Sequence, residues 1–288
     1  MIEELYTPYE LMIAHRPLFQ RERRRLRIHL DSERMRQYSL EFATGLAMLQ
    51  ILSLFLLWNV IRELIVVYWL LYFGINLAVD LYMIMVAVNL WHSRSANEQW
   101  DVVRLTYQSD EELVNTYTSL AQLQGWRAMH LNATVHMALV IVAAPILLFL
   151  LPGALMALVG VVGAPATFSN WFPFLTMYIA VWGFLVVFIH EPIWMLQLLP
   201  LLGIVMAARF RDTNTAIGMA SAVVLAFRFG TVLLWIVALT LLFSRTLWAI
   251  MLGLTLIWVS IYAERWLRRV STLARRRLNQ LAVQMMGR

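Results

Sequence analysis

Polar and apolar positions fall into long blocks along this chain. Residues 1–41 are polar, and apolar runs then recur at 42–61, 64–91, 131–151, 172–207, 214–243 and 246–263. A helix needs roughly 20 apolar residues to cross a bilayer, and no run shows the period-2 alternation of a strand. The pattern predicts an all-α polytopic membrane protein with about six transmembrane helices. Residues 1–41 form a cytoplasmic or interfacial segment, 42–263 the transmembrane domain and 264–288 a polar tail. An even number of spans puts both termini on one side. The first forty residues lack a charged-then-apolar leader, so no cleavable signal peptide is expected.

Two stretches strain this plan. The run 172–207 would be about 54 Å long as a straight helix, and it contains His190-Glu191-Pro192. It is read as one tilted or Pro-broken element, with a re-entrant part as an option. The uncharged stretch 152–171 is expected at the outer interface, with Trp171 as its anchor.

Composition narrows the function. Of 288 residues, 61% are hydrophobic and 14% charged, and the mean hydropathy is +0.69. That is too little charge for a soluble surface, so a soluble enzyme is excluded. All 23 basic residues are Arg. Without Lys the chain cannot form a P-loop, a protein-kinase ATP site or a lysine Schiff base. Without Cys it has no thiolate chemistry, disulfides, Cys-ligated zinc or iron–sulfur clusters. There is also no HExxH, GxSxG or acid cluster with metal-ligand spacing, so no enzyme activity, cofactor or metal is expected on this chain.

The distribution of Arg sets the orientation. Eight lie in 1–41, seven in 264–288, three in 92–130 and two at Arg209 and Arg211. The opposite connections hold only Arg62 and Arg245. Twenty against two places both termini in the cytoplasm.

Three cytoplasmic pieces follow. In 15–30, Leu18, Glu22, Leu26 and Leu30 fall at helical spacing among Arg, and Pro17 suits a first helical turn. This is expected to be an amphipathic helix on an anionic inner leaflet. The tail repeats the device with Trp266, Val270, Leu273, Leu281 and Val283 among Arg clusters. Docking at the membrane surface accounts for it without nucleic acid. Loop 92–130 differs: Glu98, Asp101, Asp110, Glu111 and Glu112 outnumber Arg94, Arg104 and Arg127. Ser109 with Glu112 forms a capping box, predicting a helix from 109 toward Leu123 after a short one at about 97–105.

The segment NEQWDVVRLTYQSDEELVNTY (97–117) resembles the coupling helix of bacterial ATP-binding-cassette export permeases of the type-2 class. HRPLFQRERRRLR (15–27) resembles their amphipathic connecting helix, and LLGIVMAARFRDTNTAIGMA (201–220) their turn between the fourth and fifth spans. Three departures stand out. Tyr107 replaces a common Pro, the Gly-Lys before the third span is missing, and the last two spans are joined by a short turn. The resemblance implies a permease subunit in the bacterial inner membrane that exports cargo using a separate ATPase subunit. ATP would be bound on that partner, and a second permease subunit would complete a dimer. Glu98, Trp100, Arg104, Asp110, Glu111 and Glu112 are the expected docking residues. The alternative is a non-catalytic scaffold or accessory subunit that retains the layout.

Asp80, Glu191 and Arg228 fall near the middle of their spans, with His190 beside Glu191. Each unpaired charge costs at least about 2.5–3.5 kcal/mol there. Their similar depth predicts that Arg228 bridges the two acids, a structural role favoured over a path for protons or polar substrate. Asn76 and Asn89 are expected to donate hydrogen bonds between helices. His136 is read near the inner end of its span and His190 near mid-membrane, which disfavours a bis-His haem. The Asn132-Ala-Thr134 sequon, at a span end, is expected to be inert.

Overall fold

A computed structural model describes residues 17–26, 32–56, 60–95, 110–163, 165–243, 269, 273 and 276–284. Among them the chain is helical. The helices are α1 (Pro17–Arg25), α2 (Ser32–Leu56), α3 (Ile61–Ser95), α4 (Asp110–Gly163), α5 (Pro165–Arg209) and α6 (Thr213–Phe243), with further helix at 276–284.

Among the described residues, four stretches are long and apolar enough to cross a membrane: Val66–Ser93, Leu113–Pro145, Phe188–Arg209 and Thr213–Leu233. The protein is therefore membrane-embedded, and the described residues hold four such spans. The described apolar part of α2, from Phe42 to Leu56, falls short of the roughly 20 residues a span needs. The predicted run 246–263 lies outside the described residues.

The described residues of the predicted loop 92–130 and of the interface stretch 152–171 are helical. The helix foreseen from 109 to Leu123 starts at Asp110, but it continues for 54 residues to Gly163. It runs through Pro145 and Pro152, which membrane helices tolerate where neighbouring groups satisfy the freed backbone. The stretch 152–171 holds the end of α4 to Gly163 and the start of α5 from Pro165. The run 172–207 lies inside one 45-residue helix, α5. In that helix Pro192 brings no N–H to the helical ladder.

The largest core gathers at the end of the bundle where α5 turns into α6, here called the base. It combines Phe19 of α1, Met83, Ile84 and Ala87 of α3, Leu113 to Leu123 of α4, Leu196 to Ala207 of α5 and Ala216 and Ala220 of α6, with Ala282 from 276–284. Small residues allow the helices to approach closely. A Cβ on Gly203 would stand 2.8 Å from Ala87 Cβ and 3.3 Å from the Ile84 carbonyl oxygen, so only glycine fits between α5 and α3. Ala43 and Ala47 of α2 form a second seam with Ala138 of α4.

The basic helices are tied into this core. In α1 Phe19 and Glu22 are buried, followed by half-buried Leu26; Glu22 and Leu26 belong to the predicted stripe, Phe19 adds to it, and Leu30 lies outside the described residues. Leu278 and Val283 pack on the core beside Ala282, while Leu273 and Leu281 stay exposed. The apolar faces expected to meet lipid thus include residues that meet protein, and the Arg-rich faces turn outward at Arg21, Arg24, Arg25, Arg276 and Arg277.

Candidate functional site

Two side chains shape the α5–α6 turn. Asp212 caps α6, accepting from the Thr215 N–H at 2.8 Å and the Thr215 hydroxyl at 2.7 Å. These donors hold its carboxyl below the usual Asp range. His92, near the end of α3, places Nε2 3.1 Å from the carbonyl oxygens of both Ala207 and Phe210. Carbonyls only accept, so Nε2 carries the proton and Nδ1 accepts from the Thr213 hydroxyl at 2.8 Å. His92 thereby satisfies carbonyl groups that the end of α5 leaves open. One imidazole fastens three helices.

Farther along the bundle, four helices build a polar cluster. Tyr72, Asn76 and Asp80 are spaced four apart and share one face of α3. Asn132 and His136 do the same on α4, while α5 supplies Glu191 and α6 supplies Arg228. Arg228 Nε lies 2.6 Å from Asp80 Oδ2, and its Nη1 is paired with Glu191 Oε1. Tyr72 Oη is 2.5 Å from His136 Nε2 and 3.5 Å from Glu191 Oε2. His136 Nε2 is itself 3.8 Å from Glu191 Oε2. Phe188 closes the apolar side, 4.3 Å from the His136 ring and 4.8 Å from the Tyr72 ring.

Burial is uneven. The side chains of Asp80 and His136 are 0% and 2% exposed, whereas Glu191 is 21% exposed. Both polar atoms of the Asn76 side chain and of the Asn132 side chain are buried without a hydrogen-bond partner, as are Asp80 Oδ1 and Arg228 Nη2. Buried polar atoms are normally paired, and among the described residues these atoms have no hydrogen-bond partner.

The structure therefore brings Asp80, Glu191 and Arg228 together and adds Tyr72 and His136 to them. The depth read for His136 is corrected: it stands at the level of Glu191, away from the span end. The His190 ring stacks on Trp194, with centroids 5.8 Å apart. Asn89 is exposed and does not bridge helices as expected, and Asn132 and Thr134 of the sequon are buried. Among the expected docking residues, Glu98, Trp100 and Arg104 lie outside the described residues. Asp110, Glu111 and Glu112 form the first turn of α4, where acids complement the helix dipole. Tyr72 escapes the sequence reading, although its four-residue spacing from Asn76 and Asp80 was the signal that marks it. His92 carries no comparable signal.

Comparison with known proteins returns no matching family model, curated protein or solved structure. Among the described residues no three His, Asp or Glu side chains are grouped to hold a metal ion.

Proposed function

We propose that this protein is a transport subunit of the bacterial inner membrane, the permease part of an ATP-driven exporter that couples a separate ATPase to cargo movement. The observation that supports it best is the cluster of Asp80, Glu191 and Arg228 at the meeting of α3, α4, α5 and α6. Charged side chains inside a membrane are expensive, and they mark paths for ions and polar substrates. The base offers the complementary feature. There α1, the start of α4 and the 276–284 helix gather, and Leu113, Val114 and Tyr117 of the segment that resembles a coupling helix join their core. ATP is hydrolysed on the partner, and a second permease copy completes the pathway.

A scaffold subunit is the second reading, favoured because Arg228 already meets both acids and so fastens α6 to α3 and α5. Purification from native membranes separates the two. The exporter reading expects an ATPase to co-purify and to be lost when Glu111→Arg and Glu112→Arg are combined, with helicity unchanged by circular dichroism. Absence of any ATPase, or retention of it by the double variant, removes that reading.

A further inference from the structure

The buried cluster carries an unbalanced charge. Asp80 and Glu191 supply two negative charges and Arg228 one positive charge, leaving a surplus of one negative charge. Inside a bilayer such a surplus calls for a compensating positive charge.

His136 and Tyr72 show where that charge fits. His136 Nδ1 lies 2.7 Å from the Asn132 carbonyl oxygen, which only accepts, so Nδ1 holds a hydrogen in every state. Nε2 is thus the position that gains or loses a proton, and it faces Tyr72 Oη at 2.5 Å. The same hydroxyl lies 3.5 Å from Glu191 Oε2. We propose that the Tyr72–His136–Glu191 triangle binds one exchangeable proton, which passes between imidazole and carboxylate through the Tyr72 hydroxyl.

The bookkeeping of hydrogens is complete in each form. Without the extra proton, the Tyr72 O–H donates to His136 Nε2, and Glu191 Oε2 receives nothing from the triangle. With the proton on His136, Nε2–H donates to Tyr72 Oη and the Tyr72 O–H donates to Glu191 Oε2. With it on Glu191, the carboxyl O–H donates to Tyr72 Oη and the hydroxyl donates to Nε2. Only O–H and N–H bonds form or break, and both loaded forms bring the cluster to neutrality.

The surroundings suit this exchange. The other charged or titratable groups near the triangle are Asp80 on α3, Arg228 on α6 and His190, which precedes Glu191 on α5. Asp80 and Arg228 are held together, so Arg228 cannot neutralise Glu191 without also serving Asp80. Glu191, 21% exposed against 2% for His136, is the entry point for the proton. The buried amides of Asn76 and Asn132 lie one helical turn from Tyr72 and His136 and offer donors and acceptors beside the triangle. This inference deepens the transport reading, on which the proton's role as a coupling ion rests; the binding site itself is tested without transport.

The test is a pH titration of the full chain in lipid vesicles, followed by infrared difference spectroscopy of its carboxyl and imidazole bands. The wild type is expected to show one buried protonation step, with a carboxyl signal lost in Glu191→Gln. Tyr72→Phe keeps both ends of the relay and is expected to move the midpoint by about tenfold in proton concentration. A wild type without such a step, or a Tyr72→Phe titration that superimposes on it, overturns the proposal, whether or not Glu191→Gln folds. A titrating protein that moves no cargo would end the transport reading and keep the site; cargo movement without titration would do the reverse.

Discussion

The two halves of α4 are one continuous helix in two environments. From Leu113 to Leu123 nearly every side chain is buried, whereas Leu148, Phe149, Leu155, Met156, Leu158 and Val159 are exposed. The buried half contains Thr116, Thr118, Ser119 and Gln122, all buried, while the exposed half is richest in large aliphatic residues. In water this arrangement would be inverted. In a bilayer the lipid tails are as apolar as Leu, so apolarity no longer separates inside from outside. Small and polar residues, which pack closely and bond between helices, mark the interior.

The comparison can be broken most forcefully at the cluster between the two halves. Arg228→Leu leaves two carboxylates without their cation and is expected to cost about 3–5 kcal/mol, read by denaturant unfolding in micelles. The same change beside Asp80→Asn and Glu191→Gln is expected to cost little; equal losses in both backgrounds would show that Arg228 acts otherwise.

Close packing at the base comes next. Gly203→Leu forces α3 and α5 apart against a backbone carbonyl and is expected to cost about 3 kcal/mol. Gly218, where an added Cβ meets nothing within 4 Å, is the control: Gly218→Leu should leave the melting temperature nearly unchanged. If both glycines respond alike, helix propensity, not packing, sets the effect.

Truncation then sharpens the contrast within α4 itself. Leu120→Ala removes a fully buried side chain and is expected to cost about 2 kcal/mol, low for such a cavity because lipid replaces water as the reference. Phe149→Ala, at a side chain 79% exposed, should stay within about 0.5 kcal/mol. Similar losses at the two sites would refute the assignment of Phe149 to the lipid face.

The smallest effect concerns the turn at the base. Bonds from Thr215 lower the pKa of Asp212, so its charged form is favoured in the folded protein. Its contribution is therefore present above the ordinary Asp value and lost as the pH falls through the lowered one. Hydrogen exchange in the first turn of α6 should accelerate on acidification in the wild type. Asp212→Asn should flatten that dependence, and an unaltered pH profile in the variant would assign the effect to another group.

Much of the helical layout was legible in the sequence. Pro17 opens α1, and the Ser109–Glu112 capping box predicts a helix start at 109, one residue before α4 begins. The proximity of Asp80, Glu191 and Arg228 follows from their shared depth. The extent of the helices was less legible, because Pro145, Pro152 and Pro192 signal breaks in water but are accommodated by neighbours in a membrane bundle. His136 was misplaced for a related reason: with α4 running uninterrupted, distance from a presumed span end says little about depth. The buried face of α1 was legible in part: Glu22 and Leu26 belong to the expected stripe, whereas the burial of Phe19 depends on tertiary contact with the core.

The length of α4 has a mechanical consequence. Its 54 residues form a rod of about 81 Å. Pivoting such a rod by about 5° at one end sweeps the other through about 7 Å. A push on the acidic turn at Asp110 is thus amplified toward the end of α4 at Gly163, and it displaces His136 on the way. Pro145 and Pro152 lie beyond His136, so any compliance they give the rod falls on the far side of the polar cluster.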